Sequence, residues 1–363
     1  MKKSVLAIAV AAAAMVASSA VSAAQVYNKD GVTLEIGGRV EALLMDGAKA
    51  GNTTNHNSSV RDRVRLNLKG TAKLTDWATG FGFWETQNQH AGNSTEAGAT
   101  SLRYAYVGVD FGKYGRVQAG RFEDAFKWAD LVTDVLEEDG CNGLMGDERN
   151  SGKIMYTWEG YGVHFGVNYQ TAVSNWSNDE FDEAPVKAGF STALGYTSPA
   201  VLFGPISVRA AYTYMDIDEK LAAAANRKDV KYWLVGASWG THKKGFYVGT
   251  DYSERKIARA GDLKDWKVKG FEFVVSYGFE SGVVLNAAYS QRKYDQPGKA
   301  TLSDGKMKLV SITAAYNMTP NFRVWAEAHF DAGSDKGYGK YVYDRVDNTE
   351  DHNCYMIGAR YTF

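Results

Sequence analysis

The stretch that decides the fold is Tyr355-Met356-Ile357-Gly358-Ala359-Arg360-Tyr361-Thr362-Phe363, the last nine residues of the sequence. Side chains alternate sides along a β-strand, so Tyr355, Ile357, Ala359, Tyr361 and Phe363 share one face, with Met356 and Arg360 on the other. The end of a soluble domain is ordinarily frayed. A strongly alternating strand that ends on an aromatic residue needs another explanation, and the rest of the chain supplies one.

Working backward, the same rhythm recurs as segments of about 8–13 residues. Candidate strands cover 32–45, 60–72, 78–89, 100–111, 115–122, 148–159, 162–173, 189–198, 205–217, 230–240, 245–258, 268–279, 283–294, 306–318, 321–332 and 351–363. The breaks between them alternate in length. Terse ones (73–77, 112–114, 160–161, 280–282, 319–320) contrast with long polar ones (46–59, 174–188, 333–350). One rim is therefore short-looped and the other long-looped, as in transmembrane barrels and unlike sandwiches. In 60–70, Val64, Leu66 and Leu68 face one way and Arg61, Arg63, Arg65, Asn67 and Lys69 the other. Leu34, Ile36, Val40 and Ala42 likewise oppose Glu35, Arg39 and Glu41, and Phe322, Val324 and Phe330 oppose Arg323, Glu327 and His329. These patterns predict an all-β fold, a transmembrane antiparallel β-barrel of about sixteen strands with an apolar outside.

Met1-Lys2-Lys3, the apolar run from Val5 to Val16 and Val21-Ser22-Ala23 have the build of a secretory leader. Residues 1–23 are expected to be removed, leaving 24–363 as the barrel. Beyond the leader no apolar run approaches the roughly 18 residues of a transmembrane helix, and mean hydropathy is only -0.35. Gly 38 and Tyr 22 against Pro 5 suit strands, turns and membrane interfaces. Losing Lys2 and Lys3 takes the formal charge from -1 to -3, so no basic face for nucleic acid is expected. Two cysteines offer neither a disulfide framework nor metal-ligand spacing, and no phosphate loop is present, so no metal and no cofactor are expected.

The closing strand resembles the C-terminal assembly signal of bacterial outer-membrane proteins. Over essentially the whole mature chain the sequence looks like the general diffusion porins of Gram-negative bacteria. The resemblance is carried by Leu34-Glu35-Ile36-Gly37-Gly38-Arg39, Val64-Arg65-Leu66-Asn67-Leu68-Lys69-Gly70, Leu102-Arg103-Tyr104-Ala105-Tyr106-Val107-Gly108 and Gly115-Arg116-Val117-Gln118-Ala119-Gly120-Arg121. It implies an outer-membrane homotrimer, amid lipid and lipopolysaccharide, whose third extracellular loop folds into the lumen. The break at 122–147 occupies the position of that loop and contains Asp130, Asp134, Glu137, Glu138 and Asp139. The residues that match the basic wall of the family are Arg39, Arg65, Arg103 and Arg149. The expected constriction therefore sets Asp134, Glu137, Glu138 and Asp139 against those four arginines. Opposed rows of fixed charge create a transverse field, which orients dipolar solutes and penalises apolar ones. Passive passage of ions and small hydrophilic solutes follows, with a weak preference for cations from the excess of acids.

Cys141 follows the acidic cluster, and Cys354 has inward parity in the final strand. Either one bridge pins the loop to the wall or the two thiols are unrelated. A barrel enzyme needs a histidine beside a nucleophile or carboxylate. His56, His90, His242 and His352 fall in loops, turns or strand ends, and His164 and His329 lie in different strands. No enzyme is expected. The alternative reading is an oligosaccharide-selective porin, with Trp128 and Trp325 as stacking platforms.

Overall fold

A computed structural model of the chain describes residues 23–45, 59–91, 100–138, 149–178, 181–218, 226–298, 303–335 and 353–363. Its strands are β1 (Ala24–Lys29), β2 (Val32–Met45), β3 (Ser59–Lys73), β4 (Thr79–Ala91), β5 (Ser101–Asp110), β6 (Arg116–Phe122), β7 (Asn150–Gly160), β8 (Val163–Gln170) and β9 (Val173–Asn178). They continue as β10 (Phe181–Val201), β11 (Gly204–Ile217), β12 (Arg227–Thr241), β13 (Lys244–Arg259), β14 (Trp266–Gly278), β15 (Val283–Asp295), β16 (Asp304–Asn317), β17 (Phe322–Asp331) and β18 (Cys354–Thr362). Among the described residues no helix is long and apolar enough to cross a membrane.

Sixteen of these strands form a closed antiparallel ring. Each of β2–β8 and β10–β18 pairs with a neighbour on either side, β8 passing to β10 and β18 returning to β2. Closure removes the edges that an open sheet would leave unpaired. At the seam Ile357 lies opposite Leu44 and Tyr361 opposite Val40. Phe363 stays in the ladder, exchanging backbone hydrogen bonds with Gly38 (2.9 and 3.0 Å). Gly38 has a steric reason to be glycine: a Cβ there would lie 2.8 Å from Cζ of the Phe363 ring and collide with the Arg65 carbonyl.

The period-two pattern holds in three dimensions. Val64 and Leu66 are each 40% exposed, whereas the intervening side chain of Arg63 is turned inward at 16%. Tyr355, Ile357 and Tyr361 face outward, and Cys354 and Met356 are buried on the other face. The rims differ as the break lengths require. Turns such as Tyr161-Gly162, Leu202-Phe203 and His242-Lys243 lie at one rim, and the strand ends that the long connections join lie at the other.

The structure extends the sequence reading in two places. Part of the stretch 174–188, expected to be a loop, is strand: β9 pairs with the start of β10, Trp176 opposite Ala184. Its polar residues and Pro185 read as loop, yet Trp176, Ala184 and Val186 are buried in one apolar cluster with Phe126 and Met215. At the other end, β1 is an additional strand folded back on β2 through Asp30-Gly31.

Candidate functional site

The interior of the ring is crossed by residues 123–138, which follow β6. Phe126, Ala129 and Val132 recur every three residues through and beyond the helical turn Lys127–Asp130, and all are fully buried. The backbone is fastened by side chains from strands around the ring. Ala125 N–H donates to Asn168 on β8 (2.7 Å) and Phe126 N–H to Ser191 on β10 (3.0 Å). Arg209 on β11 donates to the Trp128 carbonyl (2.7 Å), Tyr247 on β13 to that of Val132 (2.6 Å), and Asn286 on β15 to that of Val135 (2.9 Å). A segment touching β8, β11, β13 and β15 at once can do so only from within the ring. Gly249 permits the approach, because a Cβ there would strike the Val132 carbonyl.

The far end of the segment is held by charge. Glu327 on β17 accepts the N–H of Glu137 (2.8 Å) and of Glu138 (3.2 Å), and also bonds to Thr313 (2.7 Å) and His329 (2.9 Å). The Glu137 carboxylate pairs with Arg323 and, at 3.2 Å, with Arg360. Glu138 pairs with Arg63 on β3 (2.8 Å). Burial pushes the Glu138 carboxyl above its ordinary value, an effect that Arg63 opposes.

Between this segment and the wall β2–β8 lies a cavity of about 500 Å³. Arg39, Arg65, Arg103 and Arg116 line its wall side, and Lys127, Trp128 and Asp134 its opposite side. Arg39 and Arg65 are direct cross-strand neighbours. Like charges so placed repel, and each guanidinium is steered by an acceptor: Arg39 by Glu41 (2.9 Å) and Arg65 by Gln87 (2.6 Å). At Arg103 the β4–β5 ladder slips by one residue, Glu85 facing Tyr104 and Thr86 facing Leu102. That bulge lets both Arg103 and Tyr104 line the cavity, with Arg103 bonded to Glu85 (2.7 Å).

Of the residues expected at the constriction, the fold brings Arg39, Arg65, Arg103 and Asp134 to the lining of one cavity. Glu137 and Glu138 are placed elsewhere, in the ion pairs that anchor the segment to β3, β17 and β18. Arg149 lies beside Glu123 (3.9 Å) and over the Tyr104 ring, outside the cavity lining. Asp139 and Cys141 fall outside the described residues, and Cys354 is buried near Met356. Trp325 is only 3% exposed and packs with Leu43 and Met45, so it is no platform for solutes. Arg116 and Glu123 also line the cavity; the sequence marks Arg116 only by its parity with Gln118, and Glu123 by nothing beyond its place in the connection. Lys127 had no comparable signal, because the segment that carries it has no strand periodicity.

One arrangement invites a catalytic reading. Ser311 Oγ lies 2.7 Å from His329 Nδ1, and His329 Nε2 lies 2.9 Å from Glu327. All three are buried, however, and Glu327 is occupied by the backbone of residues 137 and 138. The array is a clamp on the inner segment.

A closed sixteen-stranded barrel, apolar outside and charged within, defines a transmembrane β-barrel channel. The chain belongs to the Gram-negative porin family, whose model matches residues 9–336. It is 28% identical over 353 residues to the putative outer membrane porin protein NmpC of Escherichia coli K12, covering 90% of this chain and 92% of that one. Identity to the outer membrane porin PhoE of Klebsiella oxytoca is 30% over 338 residues, with the same shares covered. Among solved structures it resembles Salmonella typhi OmpF in complex with daunomycin (TM-score 0.76, 19% identity, 94% and 100% covered). It also resembles an anion-selective porin from Comamonas acidovorans (TM-score 0.63, 14% identity, 92% and 100% covered), and these two likenesses bear on fold alone. The chain is an outer-membrane channel protein and not an enzyme.

Proposed function

We propose that this chain is a general diffusion porin, made with a leader (1–23) that is cleaved. It works as a homotrimer in a membrane containing lipopolysaccharide and passes ions and small hydrophilic solutes. The observation that carries the reading is the cavity beside the inner segment, with Arg39, Arg65, Arg103 and Arg116 on one side and Asp134 on the other. Charges fixed across a narrow aqueous gap orient dipolar solutes without binding them. Asp139, within the third connection, and Arg149, at its end, are proposed to extend the two rows. A weak cation preference is supported by the lining, where Glu85, Asp110, Glu123, Asp124, Asp134 and Glu159 stand against four arginines and Lys127.

Oligosaccharide selectivity is favoured by one feature. Trp128 faces the cavity, stacked on His164 (3.9 Å between ring centroids), with Tyr104 and Tyr106 on the cavity wall. Reversal potentials across a bilayer under a salt gradient, with and without added maltooligosaccharide, separate the readings. A small cation-side potential and no block by sugar are expected; saturable block would establish the selective channel instead. A Cys141–Cys354 bridge is proposed to tie the third connection to β18. Peptide mapping under non-reducing conditions should recover the linked pair, and finding both thiols alkylatable would refute it.

A further inference from the structure

The short turn between β12 and β13 does not stand clear of the barrel as its neighbours do. Tyr161 and Leu202, at the tips of two other short turns, are 96% and 87% exposed. His242 instead reaches inward: its Nε2 lies 3.3 Å from Oδ1 of Asn286 on β15, and its ring centroid lies 5.7 Å from that of Tyr247 on β13. Asn286 and Tyr247 are the residues that hold the carbonyls of Val135 and Val132, so the turn is tucked beneath the inner segment. The backbone explains how. The β12–β13 ladder slips by two residues, Gly240 facing Tyr247 and Thr241 facing Lys244. At the slip Gly240 has φ +101°, and a Cβ there would strike the Phe246 carbonyl. On β14, Gly278 shares the inward parity of the buried Glu272, Val274 and Ser276, and a Cβ there would lie 2.3 Å from the Lys243 carbonyl. The turn therefore passes within the ring, across space that a side chain at 278 would fill.

The turn carries one charge inward. Burial, and then the Lys243 cation, push the His242 pKa down to about 4, so the imidazole is neutral near neutral pH. Lys243 remains exposed to solvent, as a side chain in a water-filled lumen is, and the charged groups that act on it are Arg323, Glu137, Arg360 and Asp134. The two acids are already engaged, Glu137 by Arg323 and Arg360 and Asp134 by Lys127 (3.7 Å). Among the described residues Lys243 itself makes no ion pair or hydrogen bond. Its backbone is left-handed (φ +69°), a conformation that costs any residue with a Cβ. An unpaired ammonium on such a backbone does not stabilise the fold, and its field falls on whatever passes through the lumen.

We propose that the inward-folded β12–β13 turn sets a further determinant of ion preference, Lys243, on the short-turn side of the inner segment, where it favours anions and opposes the acids of the cavity lining. The inference rests on the reading of the chain as an open channel. Salt screens a fixed charge over about 30 Å at 0.01 M but about 3 Å at 1 M, so a charge to one side of a constriction acts most when the dilute solution bathes that side. Reversal potentials of the full-length protein in a planar bilayer are therefore measured under a salt gradient and again with the gradient reversed. Lys243→Gln should raise the cation-to-anion permeability ratio about twofold in one direction of the gradient and less in the other, Asp134 and Glu137 offsetting part of the field. Lys243→Arg should match the wild type, and so should Lys244→Gln, at a position of outward parity. If Lys243→Gln does not fold, Lys243→Gly removes the same charge while suiting the left-handed backbone, and the same shift is expected. Ratios unchanged by loss of the charge, or changed equally in both directions, would overturn the proposal while leaving the channel intact. Folded protein that inserts and carries no current would refute the channel, and this inference with it.

Discussion

Arg65 illustrates how much one side chain contributes to the lumen. It lines the cavity and is steered by Gln87, a neutral partner, so its charge acts on whatever passes. A unit charge acting at about 10 Å through water is worth about 0.4 kcal/mol. Arg65→Ala should therefore raise the cation-to-anion permeability ratio roughly fourfold, since the cation gains and the anion loses about that much, as read from reversal potentials; an unchanged ratio would mean that the path avoids this wall. Glu138 contributes through pH. Burial raises its carboxyl above the ordinary value, so as pH falls it takes up a proton before exposed carboxylates do. The carboxylate form is penalised above that raised value, and the penalty is relieved as pH falls through it. Protonation removes one of the two carboxylate partners of Arg63, leaving Glu41, and makes the interior one charge more positive, so selectivity should move toward anions early in an acid titration. Glu138→Gln should show that selectivity already at neutral pH and lose the early part of the shift. Arg39 and Arg65 were legible in the sequence because period two sets them opposite Val40 and Leu66. The partners of Glu137 and Glu138 were not, because a connecting segment has no periodicity to say which wall it meets.

The inner segment is fastened at its far end by Glu327, which accepts the N–H groups of residues 137 and 138 and is itself fixed by Thr313 and His329. Removing an acceptor from buried donors costs roughly 1–3 kcal/mol for each group left unsatisfied. Glu327→Ala should therefore free the end of the segment at residues 137 and 138 and give larger, noisier single-channel currents, while the barrel remains resistant to detergent. Currents identical to the wild type would show that the ion pairs to Arg323 and Arg360 suffice. The strands themselves were legible almost throughout, since each alternates over most of its length. The exceptions are β1, β9 and the place where β10 begins, at Phe181-Asp182-Glu183-Ala184-Pro185. Polar residues and a proline mask a strand whose pairing partner, β9, is secured by Trp176 inside the ring.

At the scale of the whole molecule, closure depends on β18 meeting β2. Gly38 lies beneath the Phe363 ring and against the Arg65 carbonyl, so a branched side chain there cannot be accommodated without parting the strands. Gly38→Val should lower the yield of folded, heat-modifiable barrel in refolding assays, and wild-type yields would show that the seam tolerates separation. Closure also explains why the terminal strand read so clearly: both its neighbours impose the same register, and its outer face is apolar and exposed. The proposed function requires a water-filled passage narrowed by residues 123–138. Single-channel recording of purified protein in a planar bilayer tests it most directly. Ohmic steps closing in groups of three, with conductance raised by Glu327→Ala, are the predicted result; folded protein that inserts and carries no current would contradict it.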